Sequence, residues 1–222
     1  MAAAITGSAA QSGEDAWSDI DLAFGLADGA DRDAVLADWT MSLERDWQAV
    51  HYWDLPFGPS LFRAFLLPDG LEVDISFTPA SAFGPYTPSF SLVFGVPGKP
   101  PALPAPDTRR LIGIAWHHVL HARASIERER LWQAVHLISA LRDHIFTLAG
   151  IRLGLPTTAG KGFDALPVEL RTSLQRSLIA SLDAGELRQA LAASADALLD
   201  EVARHDPAVA ASLTVPLRRA LK

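Results

Sequence analysis

The 222-residue sequence contains no cysteine. Disulfide bonds, thiolate zinc sites, iron–sulfur clusters and cysteine nucleophiles are therefore excluded. Any chemistry of this protein has to be carried by carboxylates, histidines and hydroxyl groups. With 49% hydrophobic and 20% charged residues, the composition is otherwise typical of a folded globular protein, which excludes wholesale disorder.

Positive charge is scarce in this chain. The sequence has 19 Lys and Arg residues against 26 Asp and Glu residues, which gives a formal net charge of −7. Proteins that bind long polyanions normally carry a surplus of basic residues. We therefore do not expect nucleic acid to be the main partner.

Long apolar runs are also absent from the sequence. No stretch approaches the roughly 20 residues that a membrane-spanning helix needs. Residues 1–10 lack the cationic start of a signal peptide. The sequence thus predicts a cytoplasmic protein that does not associate with a membrane.

Proline is concentrated in one segment. Residues 95–106 contain five prolines in twelve positions, which excludes a regular helix or a central strand and favours an extended connector. The sequence before this segment has mixed helix and strand patterns, whereas the sequence after it has helical patterns alone. We predict a mixed domain over residues 1–95, a proline-rich linker over 96–106 and a helical domain over 107–222.

The first half alternates polar and apolar residues in several short stretches, which is typical of strands. Residues 31–47 instead place apolar side chains three and four positions apart after an aspartate-rich start, which predicts a helix. Pro68-Asp69-Gly70 separates two apolar stretches and predicts a hairpin turn. Strands are expected at residues 2–6, 19–24, 49–55, 61–67 and 71–77.

The second half shows four segments with helical spacing of apolar residues. Helices are expected at about residues 107–123, 126–153, 166–182 and 184–204, followed by a short tail. Four such helices packed as a bundle would bury their apolar stripes. Together the two halves predict an α+β fold, in which a mixed sheet with flanking helices is followed by an all-α helical bundle.

Three aspartates form the most informative pattern in the sequence. Asp19 and Asp21 are two positions apart on a predicted strand, so both side chains project from the same face. Asp74 lies in the return strand of the hairpin between apolar neighbours. Three carboxylates within about 4–5 Å would repel by roughly 3–4 kcal/mol per pair at an effective dielectric constant near 20. Such a cluster persists only when it is protonated or bridged by a hard cation such as Mg²⁺.

This layout resembles the DNA polymerase-β-like nucleotidyltransferase superfamily. The resemblance rests on TGSAAQSGEDAWSDIDLAF at residues 6–24, in which a Gly-Ser pair precedes an Asp-x-Asp strand by ten residues, and on LEVDISF at residues 71–77. A helical bundle after the catalytic half is similar to the small bacterial members that adenylylate aminoglycoside and lincosamide antibiotics. Residues 1–95 would then be the nucleotidyltransferase catalytic domain.

The resemblance implies a role for each motif residue. Gly7 and Ser8 would hold the β- and γ-phosphates of a nucleoside triphosphate. Asp19 and Asp21 would ligate Mg²⁺ that also binds the triphosphate. Asp74 would ligate a second Mg²⁺ or serve as general base for the acceptor hydroxyl. ATP or another nucleoside triphosphate would be the donor substrate.

The sequence departs from the family pattern at two places. Relatives often carry Arg and Gly after Ser-x-Ala, whereas Gln11, Ser12 and Gly13 follow Ala10 here. A phosphate contact is then missing or is supplied from elsewhere. The chain also starts almost directly on the first strand, where relatives usually have a preceding helix.

Two residues of the second half are further candidates. Lys161, one of three lysines, lies between Gly160 and Gly162, and it would reach the triphosphate or remain a solvated loop residue. Asp143 would act as a base supplied by the helical domain or form a surface ion pair with Arg142. The sequence leaves both alternatives open.

The sequence thus predicts an Mg²⁺-dependent nucleotidyltransferase that moves a nucleoside monophosphate, most simply AMP from ATP, to a hydroxyl of a small acceptor. The resemblance suggests an antibiotic as acceptor, bound in a cleft between the domains. One alternative is transfer to a protein partner, as in antitoxin-type nucleotidyltransferases. The other is a non-catalytic nucleotide-binding module that keeps the fold.

Overall fold

The computed structural model describes residues 1–102 and 104–222, and the chain divides into two compact units, Met1–Leu103 and Pro104–Lys222. The first unit combines a mixed β-sheet with a long helix, and the described part of the second is helical. The α+β class predicted from the sequence is confirmed. The predicted linker over 96–106 contains Leu103, which lies outside the described residues, and the domain boundaries stay predictions.

The first unit is organised around a six-stranded sheet with the order β3-β4-β5-β2-β1-β6. β2 and β5 run parallel to each other, while the other neighbouring strands pair antiparallel. The parallel pair lies in the middle of the sheet, where each strand is hydrogen-bonded on both sides. The strands are β1 (Ala2–Thr6), β2 (Ile20–Leu26), β3 (His51–Phe57), β4 (Ser60–Leu66), β5 (Glu72–Pro79) and β6 (Phe90–Phe94).

A helix, α1 (Arg32–Asp46), covers one face of this sheet. It begins at Asp31, whose side chain accepts hydrogen bonds from the backbone N–H groups of Asp33 and Ala34 at 3.0 and 3.2 Å. This N-cap satisfies donors that the first helical turn would otherwise leave unpaired. The predicted helix over residues 31–47 therefore starts where the sequence places it.

The apolar core beneath α1 determines which face of β5 is buried. Leu36 and Leu43 of the helix belong to one cluster with buried side chains of β4 and β5. Because alternate strand residues point to opposite faces, burial of one set leaves Asp74 and Ser76 on the other face. The buried set on these two strands is Phe65, Val73, Ile75 and Phe77.

The second unit buries the apolar stripes of its helices in one core. Glu201 lies within this unit with no solvent exposure, and it accepts hydrogen bonds from the guanidinium of Arg152 at 2.7 and 3.0 Å. A buried carboxylate needs such a partner to offset its lost hydration. The helices are α2 (Thr108–Glu127), α3 (Leu131–Leu153), α4 (Val168–Gln175), α5 (Ala184–His205) and α6 (Pro207–Ala220). None of the helices within the described residues is both long and apolar enough to cross a membrane.

Several boundaries predicted from the sequence are wrong. The tail expected after residue 204 is the helix α6, which Asp206 caps and Pro207 starts at a position where proline is tolerated. The helix expected over 166–182 is confined to α4. β6 was not expected at all, because a five-residue strand bordered by prolines on both sides carries little periodicity. The break between α2 and α3 falls at Glu129, which has a φ of +55°. Glycine normally signals this conformation in a sequence, and there is no glycine at this position.

Candidate metal and nucleotide site

The parallel pairing of β2 and β5 places two carboxylates side by side. In the register of these strands, Asp21 lies directly opposite Asp74. Asp19 comes two positions before Asp21 and projects to the same side. One carboxylate oxygen from each of the three residues lies within 4.8 Å of the others. The structure thus brings together the three aspartates that the sequence singles out.

The surroundings of Asp74 disfavour its charged form. Burial, followed by the negative charges of Glu72, Asp21 and Asp19, raises the pKa of Asp74 to about 6. Its Oδ1 atom is buried and has no hydrogen-bond partner among the described residues. A buried carboxylate oxygen without a donor calls for a proton or a cation.

These groups fit a hard divalent cation. The three aspartates offer oxygen ligands alone, which suit Mg²⁺ better than softer metals. A bound cation would supply the partner that Asp74 Oδ1 lacks and would offset the mutual repulsion of the three carboxylates. Asp19, Asp21 and Asp74 are therefore the residues that would hold it.

Gly7 lies against the acidic cluster. Its φ of +64° falls in the left-handed region, and a Cβ built at this position would overlap the carboxylate of Asp21. Both observations require glycine here. The missing side chain at Gly7 thus lets the carboxylate of Asp21 lie directly against the backbone of this loop.

Ser8 is held in the loop that leads from β1 to the Asp-x-Asp strand. Its hydroxyl donates a hydrogen bond to Oγ of Ser18 at 3.1 Å. Its backbone oxygen accepts hydrogen bonds from the N–H groups of Gln11 and Gly13 at 3.1 and 3.0 Å. These contacts close the loop so that Ser8 lies next to the residue that precedes Asp19. Ser18 was not singled out in the sequence, although its position directly before Asp19 could have indicated it.

A cavity of about 560 Å³ adjoins the acidic cluster. Asp19 and Glu72 line it together with Trp17, whose side chain is exposed. Sequence reasoning missed Glu72, which lies two positions before Asp74 and therefore shares its face of β5. The cavity offers space for part of a substrate at the open end of the site.

The arginine that the sequence resemblance would place after Ser-x-Ala has no counterpart at that position. Gln11 and Ser12 are exposed there, and Ser12 has a φ of +52°. Arg63, a cation of the same unit, is bound to Asp54 through two hydrogen bonds of 2.6 and 2.7 Å. Arg63 also lies opposite Ile75, on the covered face of the sheet, so it does not face the acidic cluster.

Lys161 and Asp143 lie in the second unit. Lys161 is exposed and follows a short 3₁₀ turn, Thr158–Gly160. Asp143 is exposed on α3, and its backbone oxygen accepts a hydrogen bond from the hydroxyl of Thr147 at 2.8 Å. Their roles toward a nucleotide or an acceptor stay predictions.

We expect the substitution Asp74→Asn to stabilise the metal-free protein at alkaline pH. A raised pKa means that folding favours the protonated carboxyl. The contribution of this group to stability is therefore fully present below its unfolded pKa of 3.8 and is lost as the pH rises through about 6. Asparagine stays neutral, so the variant should gain about 1–2 kcal/mol near pH 8, which is less than about 1.36 kcal/mol per pKa unit because Asp74 is partly exposed.

Thermal unfolding in the presence of EDTA measures this effect. The Tm difference between Asp74→Asn and the wild type should be small near pH 4 and should grow toward pH 8. Asp38→Asn removes an exposed carboxylate of α1 and serves as the control without a pH-dependent difference. A Tm difference that does not change with pH would contradict the prediction.

We expect Gly7→Ala to disrupt the site beyond its cost in backbone strain. Gly58, in the turn between β3 and β4, has a similar φ of +55° but open space where a Cβ would stand. Alanine at either position should therefore cost about 1–2 kcal/mol of stability. Only Gly7→Ala should also displace the Asp21 carboxylate.

Binding of Mn²⁺, followed by electron paramagnetic resonance, separates the two effects because Mn²⁺ accepts the same oxygen ligands as Mg²⁺. Gly7→Ala should weaken Mn²⁺ binding by at least about tenfold, since it moves one of three ligands. Gly58→Ala should bind Mn²⁺ like the wild type. Equal affinities of the two variants would show that Gly7 does not shape the site.

Comparisons with known proteins do not identify the function of this chain, so the function is inferred from the geometry of the site. No family model and no curated protein matches the chain. Among solved structures, the chain is similar to an aminoglycoside 6-adenyltransferase from Bacillus subtilis, with a TM-score of 0.40 and 11% sequence identity. That similarity covers 91% of this chain and 88% of the other.

Proposed function

We propose that the protein is an Mg²⁺-dependent nucleotidyltransferase. It would transfer a nucleoside monophosphate, AMP from ATP, to a hydroxyl group of a small-molecule acceptor. The observation that carries this proposal is the convergence of Asp19, Asp21 and Asp74 within 4.8 Å on one face of the sheet. The glycine-serine loop lies directly against these carboxylates, as a triphosphate site requires.

The acidic cluster serves to bind Mg²⁺ together with the triphosphate. When bound, two such ions would neutralise the phosphate oxygens and orient the attacking and leaving groups. Asp19 and Asp21 would hold the ions from β2, and Asp74 would hold them from β5. The protein contributes mainly position and charge, because phosphoryl transfer needs little covalent chemistry from the enzyme.

Gly7 and Ser8 serve to bind the phosphate chain. Since Gly7 has no side chain, the phosphates can approach the backbone beside Asp21. The Ser8 hydroxyl, which donates to Ser18 in the free protein, turns its hydrogen bond to a phosphate oxygen. Lys161 stays the candidate that the sequence resemblance offers for a positive charge on the triphosphate.

The transfer step replaces one phosphorus–oxygen bond by another. The acceptor oxygen forms a bond to the α-phosphorus while the bond from that phosphorus to the bridging oxygen breaks. Pyrophosphate leaves with the electron pair of the broken bond. Asp74 takes the proton of the acceptor hydroxyl as general base.

A small acceptor agrees with the charge of the protein better than a polyanion does. The net charge of −7 and the exposed carboxylates around the site disfavour nucleic acid as the group that receives AMP. The antibiotic class suggested by the sequence resemblance remains one test set among several.

The reaction can be tested by pyrophosphate release and by mass shifts of candidate acceptors. The purified protein is incubated with Mg²⁺ and each of ATP, GTP, CTP and UTP, together with aminoglycosides, lincosamides, simple sugars and intact proteins. We expect release of pyrophosphate with a mass gain of one nucleoside monophosphate on a small acceptor. Asp21→Asn and Asp74→Asn should each reduce the rate by at least about 100-fold.

Asp38→Asn serves as the matched control and should keep the wild-type rate, because it removes a carboxylate from the exposed side of α1. A mass gain on a protein would instead identify an antitoxin-like enzyme. Binding of Mg²⁺ and ATP without pyrophosphate release with any acceptor would identify a nucleotide-binding module. Either result overturns the proposed transfer to a small molecule.

A further inference from the structure

The edge strand β3 carries apolar side chains on the face of the sheet that α1 leaves open. Trp53, Leu55 and Phe57 alternate along the strand and therefore share one face, where their exposed fractions are 54%, 48% and 45%. The intervening residues Tyr52 and Asp54 lie on the other face. There they contact Arg63, which pairs with Asp54 and lies 4.3 Å from the centre of the Tyr52 ring.

The strand register places Trp53 in one row with the acidic cluster. Trp53 lies opposite Ala64, Ala64 lies opposite Asp74, and Asp74 lies opposite Asp21. Residues directly opposite each other on neighbouring strands point to the same face. Since neighbouring strands are about 4.8 Å apart, the backbone positions of Trp53 and Asp74 are about 10 Å apart.

The residue between Trp53 and Asp74 is small. Ala64 has only a methyl group, and its neighbours on the same face of β4 are Phe62 and Leu66. Leu66 is 45% exposed, and Phe62 and Ala64 are partly exposed. The result is an apolar trough with Ala64 as its floor, Phe62 and Leu66 along its sides, Trp53 at its outer end and Asp74 at its inner end.

Folding accounts for only part of this surface. The large apolar core lies on the opposite face, and a smaller cluster that includes Ala23 and Phe83 covers another part of this face. Phe57 contacts Phe62 and Tyr86. Trp53, Leu55 and Leu66 stay exposed, although the open face of a strand normally carries polar residues. Contiguous exposed apolar groups of this kind mark binding surfaces. The kind of ligand follows from Asp74 at the inner end of the trough. A molecule whose hydroxyl group reaches Asp74 along this row must lie over Ala64.

We propose that this trough binds the acceptor and that Trp53 stacks against it. The acceptor would be a compound of about two linked rings, with the reacting hydroxyl on the ring next to Asp74 and an apolar or aromatic ring over Trp53. An aryl glycoside has this chemistry. The inference rests on the proposed function, because that function makes Asp74 the residue next to the reacting hydroxyl. It assigns Trp53 as a residue that determines acceptor specificity.

The test uses the full chain in the presence of Mg²⁺ with 4-nitrophenyl β-D-glucopyranoside as probe and methyl β-D-glucopyranoside as its counterpart without the aryl ring. Isothermal titration calorimetry should detect binding of the aryl glycoside and at least tenfold weaker binding of the methyl glycoside. Trp53→Ala should weaken binding of the aryl glycoside by about tenfold, since the stacked ring is lost. Ala64→Phe should weaken it as much by filling the floor of the trough.

Trp47→Ala is the matched control. Trp47 follows α1 and is 63% exposed, so the variant removes an exposed indole outside the trough, and it should bind the aryl glycoside like the wild type. Absence of aryl glycoside binding by the wild type, or unchanged binding by Trp53→Ala and Ala64→Phe, would overturn the inference. A dimer in light scattering that Trp53→Ala dissociates, with no glycoside bound, would overturn it too and would identify an interface between copies.

The binding measurement does not depend on catalysis, so the two proposals can fail separately. Tenfold weaker binding in Trp53→Ala, together with no pyrophosphate release from any acceptor, would support the trough and overturn the proposed function. Pyrophosphate release that Asp74→Asn abolishes, with aryl glycoside binding that Trp53→Ala leaves unchanged, would support the function and overturn the trough.

Discussion

The repulsion between carboxylates on β2 and β5 is the constraint around which the first unit is built. Parallel pairing holds Asp21 beside Asp74, and water that would screen their charges is partly excluded. The register cannot relax by one residue, because that shift would bring Asp74 into the core and expose Ile75 and Phe77, which have no solvent exposure. The apolar core under α1 therefore keeps the charged face in its unfavourable arrangement.

The two faces of β5 thus have opposite effects on stability. Val73, Ile75 and Phe77 stabilise the fold by burial, and each fully buried side chain of this kind contributes about 1.5–3 kcal/mol. Asp74 on the other face reduces stability at neutral pH, because burial and then the negative charges of Glu72, Asp21 and Asp19 disfavour its charged form. The core contribution is the larger, so the fold tolerates the mutual repulsion of these carboxylates. Such a trade of stability for a preorganised charged site is common where proteins bind ions or substrates.

The sequence predicted the parts of this arrangement that depend on local patterns. The Asp-x-Asp alternation and the Asp69-Gly70 turn placed the two strands correctly to within a few residues, and the motif named all three aspartates. The sequence did not single out Glu72, Ser18 or Trp53 as site residues. Their positions matter because of the residues that face them in the folded structure, and strand order and register depend on contacts between distant parts of the chain. The helix α6 was not predicted for a local reason. It contains two prolines, which normally argue against a helix, although Asp206 caps it.

Strand register also connects the proposed metal site with the proposed acceptor trough. The row from Asp21 through Asp74 and Ala64 to Trp53 runs from the centre of the sheet to its edge. The positions at its inner end are fixed by the core on the opposite face, so the carboxylates there stay side by side. Its outer end lies on an edge strand whose seven residues are exposed, where side chains can change at little cost to stability. Under the proposed function, such a sheet would keep the three carboxylates constant while the edge strand varies with the acceptor.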